Sequence, residues 1–161
     1  MPPRILNPDK ALRTLRKTPV LLDLVLAGLD ESAARALRDG PDGWSILSIV
    51  CHLRDYERIV AARVAAILTA DDPELLAADN DALMRDGDYA AQSLAAVRAD
   101  LRASREELIA RLAGLSTTDW QRPGHHPQQG AATLLDVAIN AGLHDVDHLE
   151  QLARCRTGAA G

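Results

Sequence analysis

Two histidines lie four residues apart near the C-terminus, within the segment GLHDVDHLEQL at positions 142–152. On an α-helix, residues four apart are separated by only about 40° around the axis, so His144 and His148 point in the same direction. Two imidazoles arranged in this way can ligate one metal ion. They lie at the margin of the apolar face of the predicted helix, where a pocket can open. Because the chain has five histidines, one such pair can also arise by chance.

A third histidine, His52, lies in the segment WSILSIVCHLRDYERIVAAR at positions 44–63. Helical spacing places it on a mostly apolar stripe that also carries Tyr56 and Arg63. A lone histidine on such a face is commonly a core residue bonded to a backbone carbonyl, and this reading stays open. Three inward-facing imidazoles together are costly to bury unless something satisfies all of them. A divalent cation does so, and three neutral histidines leave coordination positions open for water or substrate.

Two further side chains on the stripe of His52 are candidates for contact with a substrate. Tyr56 and Arg63 follow His52 at helical spacing and are expected to point inward, where they can contact an anionic or polar molecule. The alternative is that Tyr56 only fills the core and that the long side chain of Arg63 reaches solvent. We predict that both residues take part in catalysis.

Polar residues one turn after each histidine are candidates for orienting the rings. Asp55, Asp147 and Gln151 each lie three residues after one of the three histidines, although such residues on a helix margin are commonly just solvated. Two other histidines, His125 and His126, lie in a loop. They can form a lid or supply extra ligands, but we expect them to be exposed.

Helical periodicity predicts the elements that carry these residues. A Gly/Pro-rich break precedes Ser45, which is a suitable N-cap for the second helix, and Thr133 is a suitable N-cap for the last one. Pro19 is expected to kink or restart the first helix. A short extra helix is predicted to begin at Pro73, and residues 116–133 are predicted to form a long loop without strands or a hairpin. The four long helices are predicted at 8–29, 46–69, 89–112 and 134–154.

Composition and charge narrow the class of protein. The 161 residues suffice for one domain over 1–161, and only 2% are aromatic, which favours an aliphatic core of packed helices. We therefore predict an all-α fold, a four-helix bundle with a short extra helix and a long loop before the last helix. A net charge of −5 and dispersed arginines disfavour nucleic acid as a partner. No signal peptide or membrane-spanning run is found, so neither export nor a membrane partner is expected.

The two cysteines bear on the cellular compartment of the protein, and the Leu-rich first helix bears on its oligomeric state. Cys51 and Cys155 belong to no CxxC pair, as expected of reduced thiols in a cytoplasmic protein. The tract TPVLLDLVLAGL at 18–29 offers an apolar surface, and we expect a homodimer that uses it.

The order of several short motifs resembles one family across nearly the whole chain. GWS followed by HLRDYE, a DDPEL segment, an arginine-containing third helix and LHDVDHLEQL are similar to the DinB/YfiT-like superfamily. This resemblance implies a four-helix bundle in which one histidine of the second helix and an HxxxH pair of the last hold a metal, often nickel or zinc. The matching positions are His52, His144 and His148. Ser48 departs from the pattern, because relatives often carry Glu there, which leaves a capping box incomplete.

An open three-histidine metal site supports two kinds of chemistry. It can ionise a bound water for hydrolysis, or bind a thiolate for transfer to an electrophile. The resemblance implies relatives that are bacillithiol-type S-transferases or a mycothiol-dependent isomerase of maleylpyruvate. We therefore predict a metal-dependent S-transferase or hydrolase with a small-molecule substrate and, in the first case, a low-molecular-weight thiol cosubstrate.

Two alternatives remain open, and the ligands do not select the metal. One is a noncatalytic metal-binding bundle with a stress-response or interaction role. The other is a metal-free bundle whose histidines are structural remnants. Three histidines accept Zn, Ni, Fe or Mn, so the sequence leaves the divalent metal ion undetermined.

Overall fold

A computed structural model describes residues 5–158, which form a helical bundle with one small hairpin. Four long helices build the bundle: α1 (Pro8–Val25), α3 (Ile46–Thr69), α5 (Leu94–Ala113) and α6 (Leu134–Thr157). Two short helices are α2 (Glu31–Ala36) and α4 (Asn80–Asp86), and 3-10 turns occupy Tyr89–Ala91 and Asp119–Gln121. The predicted four-helix bundle is confirmed. No helix within 5–158 has both the length and the apolar character needed to cross a membrane.

The two helices that carry the histidines begin at the predicted caps. The side chain of Ser45 accepts a hydrogen bond from the backbone N–H of Ser48, which starts α3 at the predicted residue. Ser48 extends only a short hydroxyl, which lies 2.9 Å from that of Ser45. Thr133 and Asp136 form a reciprocal capping box at the start of α6, and Gly158 ends this helix with a φ of 66°. Both histidine-bearing helices are thus fixed at their N-termini by local contacts.

A buried ion cluster joins the four long helices at the centre of the bundle. Arg105 of α5 donates two hydrogen bonds of 2.7 Å to Glu57 of α3 and one of 2.8 Å to Asp145 of α6. Thr18 of α1 accepts from Arg105 and donates to Asp145 at 2.5 Å. All four side chains are buried. The cluster therefore fixes α3 and α6 relative to each other, next to the positions of the histidines.

The first helix does not restart at Pro19, so that part of the expectation was wrong. Proline lacks the N–H that would bond the carbonyl of Leu15. That carbonyl accepts instead from Arg105 at 3.1 Å, so the helix continues through Pro19 with its backbone satisfied. It ends at Val25, four residues before the predicted end, and α2 follows as a separate element.

The connections between the long helices differ from the prediction. Pro73 does not begin a helix, because its carbonyl accepts from the backbone N–H of His125 and holds the segment extended. The extra helix is α4, further along the chain, and α5 begins at Leu94 instead of residue 89.

The loop before α6 contains a hairpin, so the prediction of a loop without strands was wrong. Strands β1 (Pro123–His126) and β2 (Gly130–Thr133) pair in antiparallel register. Gly124 packs so closely that a Cβ there would lie 2.9 Å from Leu75 and 3.0 Å from Ile67. The sequence of these strands carries little strand preference. Contacts with the segment before α4 and with α3 hold them instead.

Candidate metal centre

Three histidines from two helices converge beside the bundle core. His52 of α3 and both His144 and His148 of α6 each offer a ring nitrogen within 4.8 Å of those of the other two. The Nε2 atoms of His52 and His144 lie 3.0 Å apart. His52 is fully buried and the other two are half-buried. We call these residues the three-histidine cluster.

The hydrogen bonding of His52 and His144 does not match that of ordinary core histidines. The Nδ1 atoms of both rings are buried and have no hydrogen-bond partner among the described residues. Their Nε2 atoms face each other, and only one of two neutral rings can donate to the other. Two imidazole nitrogens about 2.1 Å from one ion would be separated by about 3.0 Å at right angles and by about 3.4 Å in a tetrahedral arrangement. The spacing therefore fits a shared cation, and the reading of His52 as a carbonyl-bonded core residue is wrong.

The ring of His148 is oriented by a relay of hydrogen bonds. Its Nδ1 lies 2.8 Å from the amide oxygen of Gln151, which can only accept, so the ring proton resides on Nδ1. The amide nitrogen of Gln151 donates in turn to Asp39 at 2.9 Å. This leaves the Nε2 lone pair of His148 available to a cation. The predicted contact between Gln151 and His148 is present, whereas Asp39 comes from a loop that the sequence did not connect with the site.

The other two proposed orienting residues do not contact a histidine. Asp55 accepts hydrogen bonds from Tyr89 at 2.8 Å and from Arg54 at 2.9 Å, so its carboxylate is directed toward these two residues. Asp147 is exposed on the outer face of α6. Residues one turn apart on a helix can therefore have separate partners, and these two predictions were wrong.

Aromatic side chains wall the cluster on two sides. The ring of Tyr56 stacks on His144 at 3.6 Å between centroids, with planes inclined by 14°. Trp44 stacks over His148 at 6.2 Å and lies 5.1 Å from His52. Such rings pack against the imidazoles and limit their rotation.

Burial keeps two of the imidazoles neutral. Desolvation, followed by the charge of nearby His148, lowers the pKa of His52 to about 4. Desolvation lowers the pKa of His144 to about 3, with further contributions from His148 and His52. Neutral imidazole is the form that ligates metals. Both rings are therefore in the ligating state at neutral pH.

Tyr56 and Arg63 lie next to the cluster. The hydroxyl of Tyr56 accepts from Asn140 at 3.1 Å and from Arg63 at 3.5 Å. Arg63 also donates to the carbonyl of Leu76 at 2.8 Å and is only 5% exposed, so it does not extend into solvent. Tyr56 thus adjoins His144 directly, and Arg63 adjoins the cluster through Tyr56.

The two loop histidines have different surroundings. His125 is exposed, as expected, but His126 is buried and its Nε2 lies 3.1 Å from Nη2 of Arg63. The expectation of exposure was wrong for His126, because the hairpin folds it against α3. Neither residue belongs to the three-histidine cluster in the described chain.

A cleft of about 300 Å³ opens beside this group, lined by Arg63, His126 and Asn140 together with residues of β2 and α6. Its position was not expected from the sequence. Non-local contacts bring together one residue from each of α3, β1 and α6. Helical periodicity alone relates only residues of the same helix.

Comparison with known proteins places the chain among helical bundles. Residues 14–152 match a family model described as the DinB superfamily. YfiT from Bacillus subtilis, described as a probable metal-dependent hydrolase with an unusual four-helix bundle topology, is 23% identical with a TM-score of 0.79. That comparison covers 99% of this chain and 95% of YfiT. Among curated proteins no match is found.

Two further solved structures share the fold. A mutant of the mycothiol-dependent maleylpyruvate isomerase is 12% identical with a TM-score of 0.76, covering 91% of this chain and 61% of that protein. TT2238, described as a four-helix bundle protein, is 24% identical with a TM-score of 0.63, covering 89% of this chain and 96% of that one. At these identities the likeness concerns the fold.

Proposed function

The chain belongs to the DinB superfamily, and we propose that it is a metal-dependent enzyme that acts on a small molecule through the three-histidine cluster. The reaction is a hydrolysis or the transfer of a small thiol to an electrophile. One observation carries the proposal: three ring nitrogens from α3 and α6 lie within 4.8 Å of one another. This ligand set suits a divalent cation.

The donor set supports an open site. A divalent ion held by three imidazoles retains positions for water or a thiol and lowers the pKa of either. In the described part of the chain, no carboxylate or thiol lies close enough to the three histidines to complete the coordination of the ion. Cys51, next to His52 in sequence, is buried, and desolvation raises the pKa of its thiol to about 11. It is therefore not a thiolate at neutral pH.

The remaining residues of the site have supporting roles. Gln151 holds His148 with its Nε2 facing the cluster, and Trp44 and Tyr56 pack against the histidine rings. Tyr56 stacks on His144, and Arg63 lines the cleft and donates to the Tyr56 hydroxyl. We propose both as the catalytic residues. The descriptions of YfiT as a probable hydrolase and of the isomerase as mycothiol-dependent support the two reaction types.

Metal analysis of protein purified without a histidine tag tests the site. We expect about one divalent ion per chain, and a loss of most of it in each of His52→Ala, His144→Ala and His148→Ala. His125→Ala is the matched control, because this histidine is exposed and lies outside the cluster. Near-stoichiometric metal in all three cluster variants would refute the proposal.

Cobalt substitution separates an enzyme from a noncatalytic metal-binding bundle. If the site is open, small thiols should produce a thiolate-to-cobalt charge-transfer band, and turnover with an electrophile should disappear in His144→Ala. If hydrolysis is the reaction, anions and chelators should change the cobalt spectrum without thiol turnover. A spectrum that no thiol, anion or chelator changes would favour the noncatalytic alternative.

We also propose a cytoplasmic homodimer. Val20, Leu21 and Leu24 are exposed on α1 at 59%, 45% and 65%, so an apolar surface remains where a second copy can pack. Cys51 and Cys155 are both buried and unpaired, which supports a reducing compartment.

A further inference from the structure

Arg63 is a buried cation without an acidic partner within residues 5–158. The other two buried arginines each pair with carboxylates: Arg54 with Asp55, and Arg105 with Glu57 and Asp145. The contacts of Arg63 are a carbonyl, a phenol and an imidazole, all of them neutral. Burial of an unpaired guanidinium is costly, so this position is suited to an anion that the chain itself does not supply.

The imidazole next to Arg63 also lacks an acceptor. Nδ1 of His126 accepts from the backbone N–H groups of Gln128 at 3.2 Å and Gln129 at 3.3 Å, which places the ring proton on Nε2. Nε2 then directs its N–H toward Nη2 of Arg63, 3.1 Å away, so two donors face each other. The other tautomer would direct Nδ1–H against two backbone N–H groups. Burial, followed by the charge of Arg63, lowers the pKa of His126, which disfavours the doubly protonated ring.

More donors surround the same point. The amide nitrogen of Asn140 uses one N–H for the hydroxyl of Tyr56, and its second N–H remains. Since that hydroxyl accepts from both Asn140 and Arg63, its own proton is available for donation. The one acidic residue of the cleft lining, Asp136, has a carboxylate oxygen bonded by the N–H and hydroxyl of Thr133. The cleft lining therefore presents the donors of Arg63, His126 and Asn140 and one positive charge, with the Tyr56 hydroxyl adjacent to Arg63 and Asn140.

We propose that Arg63, His126, Asn140 and Tyr56 form a subsite that binds a carboxylate group of the substrate. The inference rests on the proposed function, because only an enzyme has a substrate to bind here. A carboxylate oxygen beside the Arg63–His126 pair would accept from both donors that now face each other. The ring of Tyr56 stacks on His144 and its hydroxyl accepts from Arg63, so one aromatic side chain lies between this subsite and the cluster. A substrate of this kind is a small organic acid.

The test measures binding of acetate, as a carboxylate probe, by the nitrogen NMR signals of His126. The full-length protein is titrated as purified, and again after removal of metal by a chelator followed by dialysis, at constant ionic strength against chloride. We expect a saturable shift of the His126 ring signals in both preparations. Acetamide, the neutral isostere, is expected to produce none. Because the readout does not need the metal, it distinguishes this subsite from the three-histidine cluster.

Two variants and a control assign the effect. Arg63→Met should weaken acetate binding at least about tenfold, because a charge-assisted pair is lost. Asn140→Asp, at an exposed position, should weaken it similarly by supplying a competing carboxylate. Arg122→Met should bind like the wild type, because Arg122 donates to the carbonyls of Ile67 and Ala70, away from the cleft.

The outcomes separate the two proposals. Acetate binding that fails in the wild type, that acetamide reproduces, or that is unchanged in Asn140→Asp overturns the subsite. If Arg63→Met does not fold, as judged by circular dichroism, Asn140→Asp decides alone. Acetate binding by a protein that contains no divalent ion as purified and takes up none when it is supplied would leave the subsite standing and refute the metal-dependent function. Stoichiometric metal in the three-histidine cluster without acetate binding would overturn the subsite and leave the metal-dependent function standing.

Discussion

Replacement of Arg105 by methionine should destabilise the bundle severely. Arg105 is 4% exposed and donates to Glu57, Asp145, Thr18 and the carbonyl of Leu15, which is left without its helical partner by Pro19. Methionine keeps the volume but leaves two buried carboxylates without a cation. Breaking a buried ion pair by removing one partner costs about 3–5 kcal/mol. Domains of this size are stable by about 5–15 kcal/mol, so a large share would be lost.

Urea denaturation followed by far-UV circular dichroism measures this loss. The matched control is Arg102→Met, because Arg102 pairs with Asp23 on the surface, where such a pair contributes about 0–1 kcal/mol. Adding Glu57→Gln to Arg105→Met should recover part of the stability, since the unpaired charge is then removed. Equal losses in the two single arginine variants, or no recovery by Glu57→Gln, would refute this account of the cluster.

The pH dependence gives a second check on the same variant. Burial raises the pKa of Glu57 above its ordinary value of 4.5, although Arg105 opposes the shift. When the pKa of an acid is higher in the folded protein than in the unfolded chain, its contribution to stability is fully present below the pKa of the unfolded chain. This contribution is lost as pH rises through the pKa of the folded protein. Without Arg105 the folded pKa of Glu57 should rise further. The destabilisation of Arg105→Met should therefore shrink as pH falls from 7 toward 4.5, and a constant difference would contradict the argument.

Four further predictions concern the metal ligands, the hairpin, a buried thiol and the homodimer. Gln151→Leu should weaken zinc binding about 10–100-fold, because it releases the ring of His148, whereas Asp147→Ala should leave zinc binding unchanged. Calorimetry measures both affinities, and equal effects would exclude an orienting role for Gln151. Gly124→Ala should lower the free energy of unfolding by about 1–3 kcal/mol, because the new Cβ would press on Leu75 and Ile67. Thermal unfolding measures this loss, and an unchanged stability would contradict the packing. Cys51, with a pKa raised to about 11, should react with iodoacetamide much more slowly at pH 8 in the native protein than in urea. Leu24→Glu should convert a homodimer to a monomer in light scattering, and a wild-type monomer at all concentrations would refute the dimer.

Local signals in the sequence sufficed for the helices that carry the histidines. The starts of α3 and α6 follow from Ser45 and Thr133, because caps act through side-chain bonds to backbone groups three residues away. The common direction of His144 and His148 follows from helical periodicity, and so does the alignment of His52 with Tyr56 and Arg63. These features depend on residues close in sequence.

Contacts between distant residues decided the rest. Within α1, the carbonyl that Pro19 leaves free is bonded by Arg105, which lies on another helix. His126 becomes buried against Arg63 through a hairpin whose strands have little intrinsic preference for that conformation. The sequence thus determined which residues share a helix face, since that relation repeats every few residues. Only the tertiary structure decided which polar groups meet across elements, because each such meeting depends on the packing of the whole bundle.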